Sequence, residues 1–451
     1  MEVFRCNARL LRQLGLVSLG NIRSTKTQLP RFQHRAFASV TEASSTSSDT
    51  SPLQQSNPLN VQPKRSSVPY RKFNPIFLRD SCTCPRCVDP SSKQKNFQTT
   101  EIPENISIKS AETLPNRDVK ITWSNDIPSW GPDHVSVIPQ SFIDIHSTRT
   151  GINLDRSHER IGQFWDTEKI ASELQYVDYN EYLNKDEILY LALFQLRRYG
   201  LLLVRGVPDS EKAVEEITGR IGNLRDTFYG RTWDVKSVPK AKNVAYTSQY
   251  LGLHMDLCYM ADPPGFQFLH CLRNTCEGGA SIFSDSFRAA ASLKRGHFNN
   301  LCKTETAFHY RNAGEHYYHT HKVIELATRH PTTIKYINWS PPFQAPYDLT
   351  PHMQRKEFNN HLQAAREFAS LIESPENMFE YKLQEGECVI FNNRRVLHGR
   401  RGFDTGTGER WLKGAYVDTD VFMSRFRVLN ERFRAESKKI DEMAKYVNPK
   451  S

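Results

Sequence analysis

The sequence has no long apolar run, and that absence excludes one class of protein. Nowhere in its 451 residues do roughly eighteen apolar residues follow one another, which is the length that a membrane-spanning helix needs. Hydrophobic residues make up only 38% of the chain, so part of it is expected to lie outside any packed core. The sequence also lacks a repeat of about 20 to 50 residues, which excludes a repeat architecture.

Acidic residues are missing from the start of the chain. None occurs between Glu2 and Glu42, while arginines recur and fall on one face of a possible helix. This pattern is typical of a mitochondrial transit peptide, and the Ser/Thr/Gln-rich stretch that follows has too few apolar residues for a core. We therefore expect residues 1–66 to be a transit peptide and linker of a mitochondrial protein. A disordered basic tail on a cytoplasmic protein is the alternative.

The net charge of +10 is concentrated in this N-terminal stretch, and the remaining charges are mixed in sign. A solvated basic surface explains such a distribution, so we expect no nucleic-acid partner. The nine cysteines are an odd number, and three of them lie within six residues. This spacing indicates reduced thiols and a metal site rather than a set of disulfides.

Cys82, Cys84 and Cys87 are spaced so that their thiols can turn toward one ion, and structural zinc prefers four ligands of this soft type. His134, which follows a strand-like segment at 119–123, is the preferred fourth ligand. His146 and His158 are weaker candidates, and a redox or incidental cysteine cluster is the alternative. We expect residues 67–150 to form a small, β-rich, zinc-binding domain without catalytic chemistry.

The rest of the chain predicts an α+β fold. Apolar residues at helical spacing predict a helix over 186–198 that stops at Gly200, a strand over 201–207 and a second helix over 210–221. Many short strands follow, with one helical block at 351–370, which is typical of a double-stranded β-helix, or jelly roll, with flanking helices. We place this domain at 160–436, with a helical stretch over 423–446 and a C-terminal tail at 437–451.

Two distant segments offer the ligands of a non-haem iron(II) oxygenase. His254 and Asp256 stand two residues apart, so on a strand both side chains would point to one face. His398 would then come from a neighbouring strand and complete two histidines and one carboxylate with open coordination positions. With fifteen histidines in the chain, an accidental match is the alternative.

Arg410 shares a strand face with Leu412, Gly414 and Tyr416 by the period of two. If that face is also the face of His398, the guanidinium points into the cavity and can bind the far carboxylate of a dicarboxylic cosubstrate. A structural arginine paired with Asp or Glu is the alternative. Periodicity does not choose between Arg410 and four nearby arginines: Arg394, Arg395, Arg400 and Arg401.

Five segments together resemble the γ-butyrobetaine dioxygenase family of iron(II)- and 2-oxoglutarate-dependent oxygenases: residues 227–233, 242–247, 263–271, 392–400 and 414–418. The likeness runs from about Phe77 to Phe433 and includes the cysteine-rich segment. It implies iron at His254, Asp256 and His398, and 2-oxoglutarate at Arg410 with Leu269 lining it. It also implies structural zinc at Cys82, Cys84, Cys87 and His134, and ascorbate as a reductant.

The resemblance further implies a substrate. A quaternary ammonium has no N–H to donate and is recognised by aromatic faces, and Tyr229, Trp233, Tyr246 and Tyr416 match the family's cage positions. Any one of these rings could instead be core. Asn243 matches a position that holds the substrate carboxylate. The expected reaction is hydroxylation of γ-butyrobetaine at C3 with O2, giving L-carnitine, succinate and CO2.

The sequence departs from the animal enzymes in two places. The segment 336–342 has fewer asparagines near the carboxylate, and Leu257 is aliphatic where an aromatic residue occurs in animal relatives. Trimethyllysine dioxygenase, whose substrate adds an α-amino group, is therefore one rival function. A non-enzymatic zinc and basic-surface binding module is another.

Four histidines lie close together later in the chain: His309, His316, His319 and His321. They are interpreted as a mobile rim segment, with a second metal site as the alternative. A homodimer is expected.

Overall fold

The computed structural model describes residues 69–157, 162–236, 247–328, 330–348 and 355–433. The expected transit peptide and linker, His158, Asn243, Tyr246 and the tail at 437–451 lie outside these ranges. No helix among the described residues is long and apolar enough to cross a membrane.

The N-terminal part is built on a small antiparallel sheet in the order β1-β2-β3. Buried residues alternate along β2 and β3, and Val119, Ile121 and Trp123 of β2 point into a local core with Leu78 and two of the cysteines. The elements are α1 (Pro75–Asp80), β1 (Ile108–Thr113), β2 (Val119–Trp123), β3 (Val135–Ile138), α2 (Gln140–His146) and α3 (Arg149–Asp155).

A six-stranded sheet, in the order β4-β5-β15-β8-β17-β6, forms one wall of the larger part. Its strands are β4 (Tyr176–Asp178), β5 (Leu201–Arg205), β6 (Thr232–Lys236), β8 (Phe266–Asn274), β15 (Glu387–Asn392) and β17 (Arg410–Val417). Four helices cover its outer face: α5 (Tyr179–Asn184), α6 (Asp186–Tyr199), α7 (Ala213–Gly219) and α11 (Thr419–Phe433). Helix α4 (Thr167–Glu173) instead contributes Ile170 to the apolar cluster that contains Leu269 and Phe283. Central strand β5 is apolar on both faces because both are covered.

A four-stranded sheet, in the order β14-β9-β16-β7, faces the first. It consists of β7 (Leu251–His254), β9 (Ser281–Asp285), β14 (Met378–Tyr381) and β16 (Val396–Arg400). Leu269 and Leu412 of one sheet meet Phe283 and Val396 of the other in the space between them. The two facing sheets with flanking helices confirm the predicted α+β double-stranded β-helix.

Further elements pack on the outer side of the smaller sheet: α8 (Ser286–Ala291), α9 (Arg295–Leu301), α10 (Arg355–Ile372), the hairpin β10 (Glu305–Asn312) with β11 (Glu315–Lys322), and the hairpin β12 (Ile324–Ala327) with β13 (His330–Ile337). The helices predicted over 186–198 and 210–221 are confirmed as α6 and α7, and the block at 351–370 as α10. Gly200 ends α6 with a φ of 76°, a left-handed conformation that glycine adopts without strain.

Candidate active site and metal centres

Two antiparallel neighbours, β7 and β16, bring the two histidines of the predicted triad together. His254 is the last residue of β7 and pairs directly with His398 of β16, and their ring centroids are 4.3 Å apart. Residue 399 is a glycine because a Cβ there would lie 2.5 Å from the carbonyl oxygen of Leu251 on β7. The close approach of these two strands therefore depends on Gly399.

Asp256 does not lie on the strand, as the i, i+2 argument assumed, because β7 ends at His254. A turn carries its carboxylate back beside the histidines, while Met255 points away into the core. Oδ1 of Asp256 lies 3.4 Å from Nε2 of His254, and Oδ2 lies 3.9 Å from Nε2 of His398. The three side chains are thus brought to one point by a strand pair and a turn.

The donor set fits a divalent metal ion. Two ligands at about 2.1 Å from one ion can be at most about 4.2 Å apart, and both carboxylate–imidazole distances are shorter than that. Nδ1 of His254 donates to the carbonyl of Gly252 at 2.8 Å, which leaves Nε2 to bind the ion. Two imidazoles and one carboxylate on one side of an ion are the facial arrangement of non-haem iron(II) oxygenases.

Electrostatics favour the ligating protonation states. Burial, and then the neighbouring His254, lower the pKa of His398 to about 3, so this imidazole is neutral near pH 7. Burial acts to raise the pKa of Asp256, but hydrogen bonding with His254 and the proximity of both histidines outweigh it and keep that pKa well below its usual range. A neutral imidazole and a charged carboxylate are the forms that bind metal.

A cavity of about 780 Å³, including the space at its open mouth, lies between the two sheets and contains the triad. Three predicted substrate residues line it, namely Tyr229, Trp233 and Tyr416, and so does Leu269. Asn243 and Tyr246 lie outside the described residues.

The aromatic wall contains rings that the sequence did not single out. Tyr259 and Phe343 also line the cavity, and the hydroxyls of Tyr229 and Tyr259 are 3.4 Å apart. Trp233 stacks on Tyr416 with ring centroids 4.0 Å apart. Tyr259 and Phe343 come from loops whose neighbours depend on the whole topology, so a local pattern could not have identified them.

Arg410 lines the same cavity, as expected if its strand face is also the face of His398. It is buried, and its Nε donates to the carbonyl of Gly279 at 3.2 Å. Within the described ranges no carboxylate lies within 4.0 Å of its guanidinium, which therefore has N–H groups available for an external carboxylate. Burial lowers its pKa to about 10, so it stays charged near neutral pH.

The structure also separates the other four arginines. Arg400 lines the cavity and donates to the carbonyl of Gln249 at 2.7 Å, with its guanidinium 4.9 Å from the ring of Phe403. Arg395 forms a buried ion pair with Asp285. Arg394 is buried beside the ring of Tyr336, and Arg401 pairs with Glu380 at the surface. Of these four arginines, only Arg400 lines the cavity.

Comparisons with known proteins agree with this geometry. Residues 163–416, more than half of the chain, match the family described as "Taurine catabolism dioxygenase TauD, TfdA family". Residues 58–130 match "Gamma-butyrobetaine hydroxylase-like, N-terminal". A γ-butyrobetaine dioxygenase of Pongo abelii is 32% identical over 369 residues, which cover 79% of this chain and 91% of the relative. The chain belongs to the γ-butyrobetaine dioxygenase family.

Other members differ in name. "Dioxygenase str8" of Strobilurus tenacellus is 40% identical over 395 residues, covering 82% of this chain and 87% of its own. A trimethyllysine dioxygenase of Meyerozyma guilliermondii is 27% identical over 378 residues, covering 80% of this chain and 90% of its own. The protein is thus a dioxygenase that uses iron(II) and 2-oxoglutarate. Its relatives are named for different activities, so the family alone does not identify the substrate.

The N-terminal part of this family member contains a second ligand cluster. Nε2 of His134 lies 3.7, 3.4 and 3.3 Å from the sulfurs of Cys82, Cys84 and Cys87. Three thiols and one imidazole so close together fit a structural zinc ion. His146 does not join the cluster. Its Nδ1 donates to the carbonyl of Phe142 within helix α2, and its imidazole lies against the ring of Phe142.

Residues around this cluster support its ligands, although no local pattern in the sequence indicates them. Asp126 Oδ2 lies 2.7 Å from Nδ1 of His134, which turns Nε2 toward the thiols, and the fully buried Arg79 pairs with the other oxygen of Asp126 at 2.6 Å. Arg79 and Trp130 also donate to the sulfur of Cys87, at 3.4 and 3.2 Å. These donors stabilise a thiolate at that position.

The histidine-rich segment that was expected to form a mobile rim is a regular β-hairpin. His309, His316, His319 and His321 lie in the β10–β11 hairpin, whose register is continuous over eight residue pairs. In the described part of the chain, the only groups of three or more ligands close enough for one ion are the thiol cluster and the His254 triad. His319 and His321 lie side by side on one strand, with ring centroids 4.5 Å apart, but strand alternation puts His309 and His316 on the opposite face, so no three of the four come together.

Proposed function

We propose that this dioxygenase hydroxylates γ-butyrobetaine at C3, forming L-carnitine, succinate and CO2. The observation that supports the substrate most directly is the aromatic wall beside the metal ligands, where Tyr229, Trp233 and Tyr416 line one cavity with Asp256. A trimethylammonium group offers no hydrogen-bond donor, and stacked aromatic faces attract it through their quadrupoles.

The proposed iron site uses His254, Asp256 and His398, and Arg410 binds the far carboxylate of 2-oxoglutarate. When bound, iron(II) and 2-oxoglutarate supply the oxygen activation that the hydroxylation needs. The protein contributes binding and orientation: the facing sheets form the walls of the cavity, and the guanidinium fixes the cosubstrate at one end. No protein nucleophile takes part.

Trimethyllysine is the second candidate substrate, favoured by relatives of that name. Its α-ammonium group would need an acceptor inside the cavity. Among the lining residues that the structure describes, Asp256 is the only carboxylate, and it is a proposed metal ligand. Aromatic faces for one cation, with no second acidic group among the described lining residues, suit γ-butyrobetaine better.

Feeding the two substrates separately tests the proposal. The purified protein, with iron(II), ascorbate and 2-oxoglutarate, is incubated with γ-butyrobetaine, with trimethyllysine or with neither, and hydroxylated products are measured by mass spectrometry. We expect L-carnitine from the first incubation and little product from the second. Hydroxytrimethyllysine as the main product would assign the rival function, and binding of DNA without any oxygen consumption would favour the non-enzymatic one.

We also propose import into mitochondria and a homodimeric assembly. Import is supported by the arginine-rich stretch between Glu2 and Glu42, which contains no acidic residue, and the dimer by the family resemblance. Fluorescent fusions of the full chain and of residues 67–451 test import, because only the longer one is expected in mitochondria. Light scattering of the purified protein tests the dimer.

A further inference from the structure

Asp256 needs support that its own strand does not give. Strand β7 ends at His254, so Asp256 has no ladder hydrogen bonds to fix it. The next residue, Leu257, has a φ of 58°, which a branched side chain rarely adopts. A metal ligand in such a turn can be oriented only by contacts from other parts of the chain.

Asn393 contacts the backbone of Asp256 on both sides. Its Oδ1 accepts from the N–H of Asp256 at 2.8 Å, and its Nδ2 donates to the carbonyl of Asp256 at 3.1 Å and to that of Pro264 at 3.0 Å. Asn393 is fully buried and directly follows β15, in the short turn that leads into β16, the strand that carries His398. The amide side chain therefore ties the Asp256 turn to the element that carries another proposed ligand.

Tyr416 contacts the side chain of the same residue. Its hydroxyl donates to Oδ2 of Asp256 at 2.6 Å, while Oδ1 faces Nε2 of His254 at 3.4 Å. Tyr416 is buried on β17, and the indole of Trp233 stacked on its ring restricts its rotation. A free carboxylate can rotate and present either oxygen or both to an ion, but this hydrogen bond distinguishes the two oxygens.

We propose that Asn393 and Tyr416 are positioning residues that hold Asp256 as a metal ligand, one through its backbone and one through its carboxylate. This inference rests on the proposed iron site at His254, Asp256 and His398. It gives Tyr416 a second role beside the aromatic wall: its ring faces the substrate cavity while its hydroxyl orients a ligand. Partners of this kind typically contribute roughly 10–100-fold to metal affinity.

Manganese(II) binding to the full chain tests the proposal without catalysis. Manganese prefers carboxylate and imidazole ligands over thiolates, so it reports on the triad and not on the cysteine cluster. Free manganese is measured by electron paramagnetic resonance during a titration of the zinc-loaded protein. Tyr416→Phe keeps the ring and removes only the hydroxyl. Tyr310→Phe removes the hydroxyl of another buried tyrosine that does not line the cavity, and is the matched control.

Asn393→Ala is paired in the same way with Asn338→Ala. Asn338 is equally buried and donates to the carbonyl of Lys322 and to Glu325, but it contacts none of the proposed ligands. Both asparagine variants lose buried hydrogen bonds, so circular dichroism and thermal unfolding of each record the general cost of that loss. If manganese affinity changes in Asn393→Ala but not in Asn338→Ala, the cause is the lost contact with Asp256 and not the general loss of buried hydrogen bonds.

We expect Tyr416→Phe and Asn393→Ala to bind manganese about 10–100-fold more weakly than the wild type, and both controls to bind it within about twofold. Wild-type affinity in folded Tyr416→Phe and Asn393→Ala would overturn the inference, as would an equal loss in the controls. A wild-type protein that binds manganese no better than His254→Ala would instead overturn the iron site itself. Because Tyr416→Phe removes a single oxygen atom, it decides the question even if Asn393→Ala fails to fold.

Discussion

Gly414 leaves the space that the indole of Trp233 occupies. The two residues pair across strands β17 and β6, and a Cβ at position 414 would lie 2.4 Å from the indole Cε2. Any side chain there would push the ring away from Tyr416, on which it stacks. The aromatic wall of the cavity thus depends on a residue that has no side chain.

Gly414→Ala should therefore weaken substrate binding. Overpacking of this kind costs about 1–3 kcal/mol, and Trp233 is too buried to move freely, so we expect KM for γ-butyrobetaine to rise roughly tenfold or more. Steady-state kinetics at saturating 2-oxoglutarate measure this. Gly296→Ala is the control, because a Cβ at that helical position meets nothing within 4 Å. Equal KM values for the two variants would contradict the described wall.

Arg410→Lys should weaken the binding of 2-oxoglutarate and leave the binding of γ-butyrobetaine nearly unchanged. Lysine keeps the charge but cannot form two parallel hydrogen bonds with a carboxylate, a loss of about 1.5–3 kcal/mol. We expect KM for 2-oxoglutarate to rise at least about tenfold, with KM for γ-butyrobetaine little changed. Arg401→Lys serves as the comparison, since Arg401 pairs with Glu380 at the surface. The assignment fails if both variants respond alike.

Cys87→Ser should release the structural metal. Cys87 is buried and its sulfur lies 3.3 Å from Nε2 of His134, so the hydroxyl substitution removes one of four soft ligands. Elemental analysis should find about one zinc per wild-type chain and much less in the variant, together with a lower unfolding temperature. Cys302→Ser changes a half-buried thiol outside the cluster and should keep the zinc. A wild-type chain purified with no zinc would contradict the site.

Because of His270, the free energy of unfolding should fall at mildly acidic pH. It is fully buried, neither ring nitrogen has a hydrogen-bond partner among the described residues, and burial lowers its pKa to about 4. The unfolded chain takes up a proton near pH 6.5 that the folded chain refuses, so stability falls as the pH drops from about 6.5 toward 4. The full loss is about 3 kcal/mol.

Urea unfolding at pH 7 and pH 5 checks this prediction. We expect the wild type to lose stability between the two, and His270→Leu to lose clearly less, because leucine fits an apolar site without a charge to exclude. His361→Gln is the comparison variant. Burial also lowers the pKa of His361, but this histidine has a hydrogen-bond partner, because the hydroxyl of Thr306 lies 3.3 Å from its Nε2. An identical pH dependence in the wild type and His270→Leu would show that His270 is not responsible.

Short-range patterns predicted much of the site. Three cysteines within six residues, the strand period that aims Arg410 at the cavity, and the glycine that ends helix α6 are all local features, and local sequence determines them. The pattern around His254 and Asp256 indicated the right residues but the wrong backbone conformation, because the strand ends at His254, two residues before Asp256.

What the sequence could not predict depends on pairing between distant segments. Strand β8 lies between β15 and β17, which joins Leu269 to Val389 and to Gly414, more than a hundred residues away. Asn393 and Tyr416 meet Asp256 only after such pairing, across 137 and 160 residues. No periodicity connects residues at these separations, so their role becomes visible only in three dimensions.

The coupling between succinate and hydroxylated product tests the central claim most directly. With γ-butyrobetaine, O2, iron(II) and 2-oxoglutarate, the wild type should form succinate and L-carnitine in about equal amounts, because one reaction yields both. His254→Ala, which removes one of three proposed iron ligands, should form neither above background. Succinate without L-carnitine would contradict the proposed substrate, and undiminished turnover by His254→Ala or by an iron-free preparation would contradict the metal site.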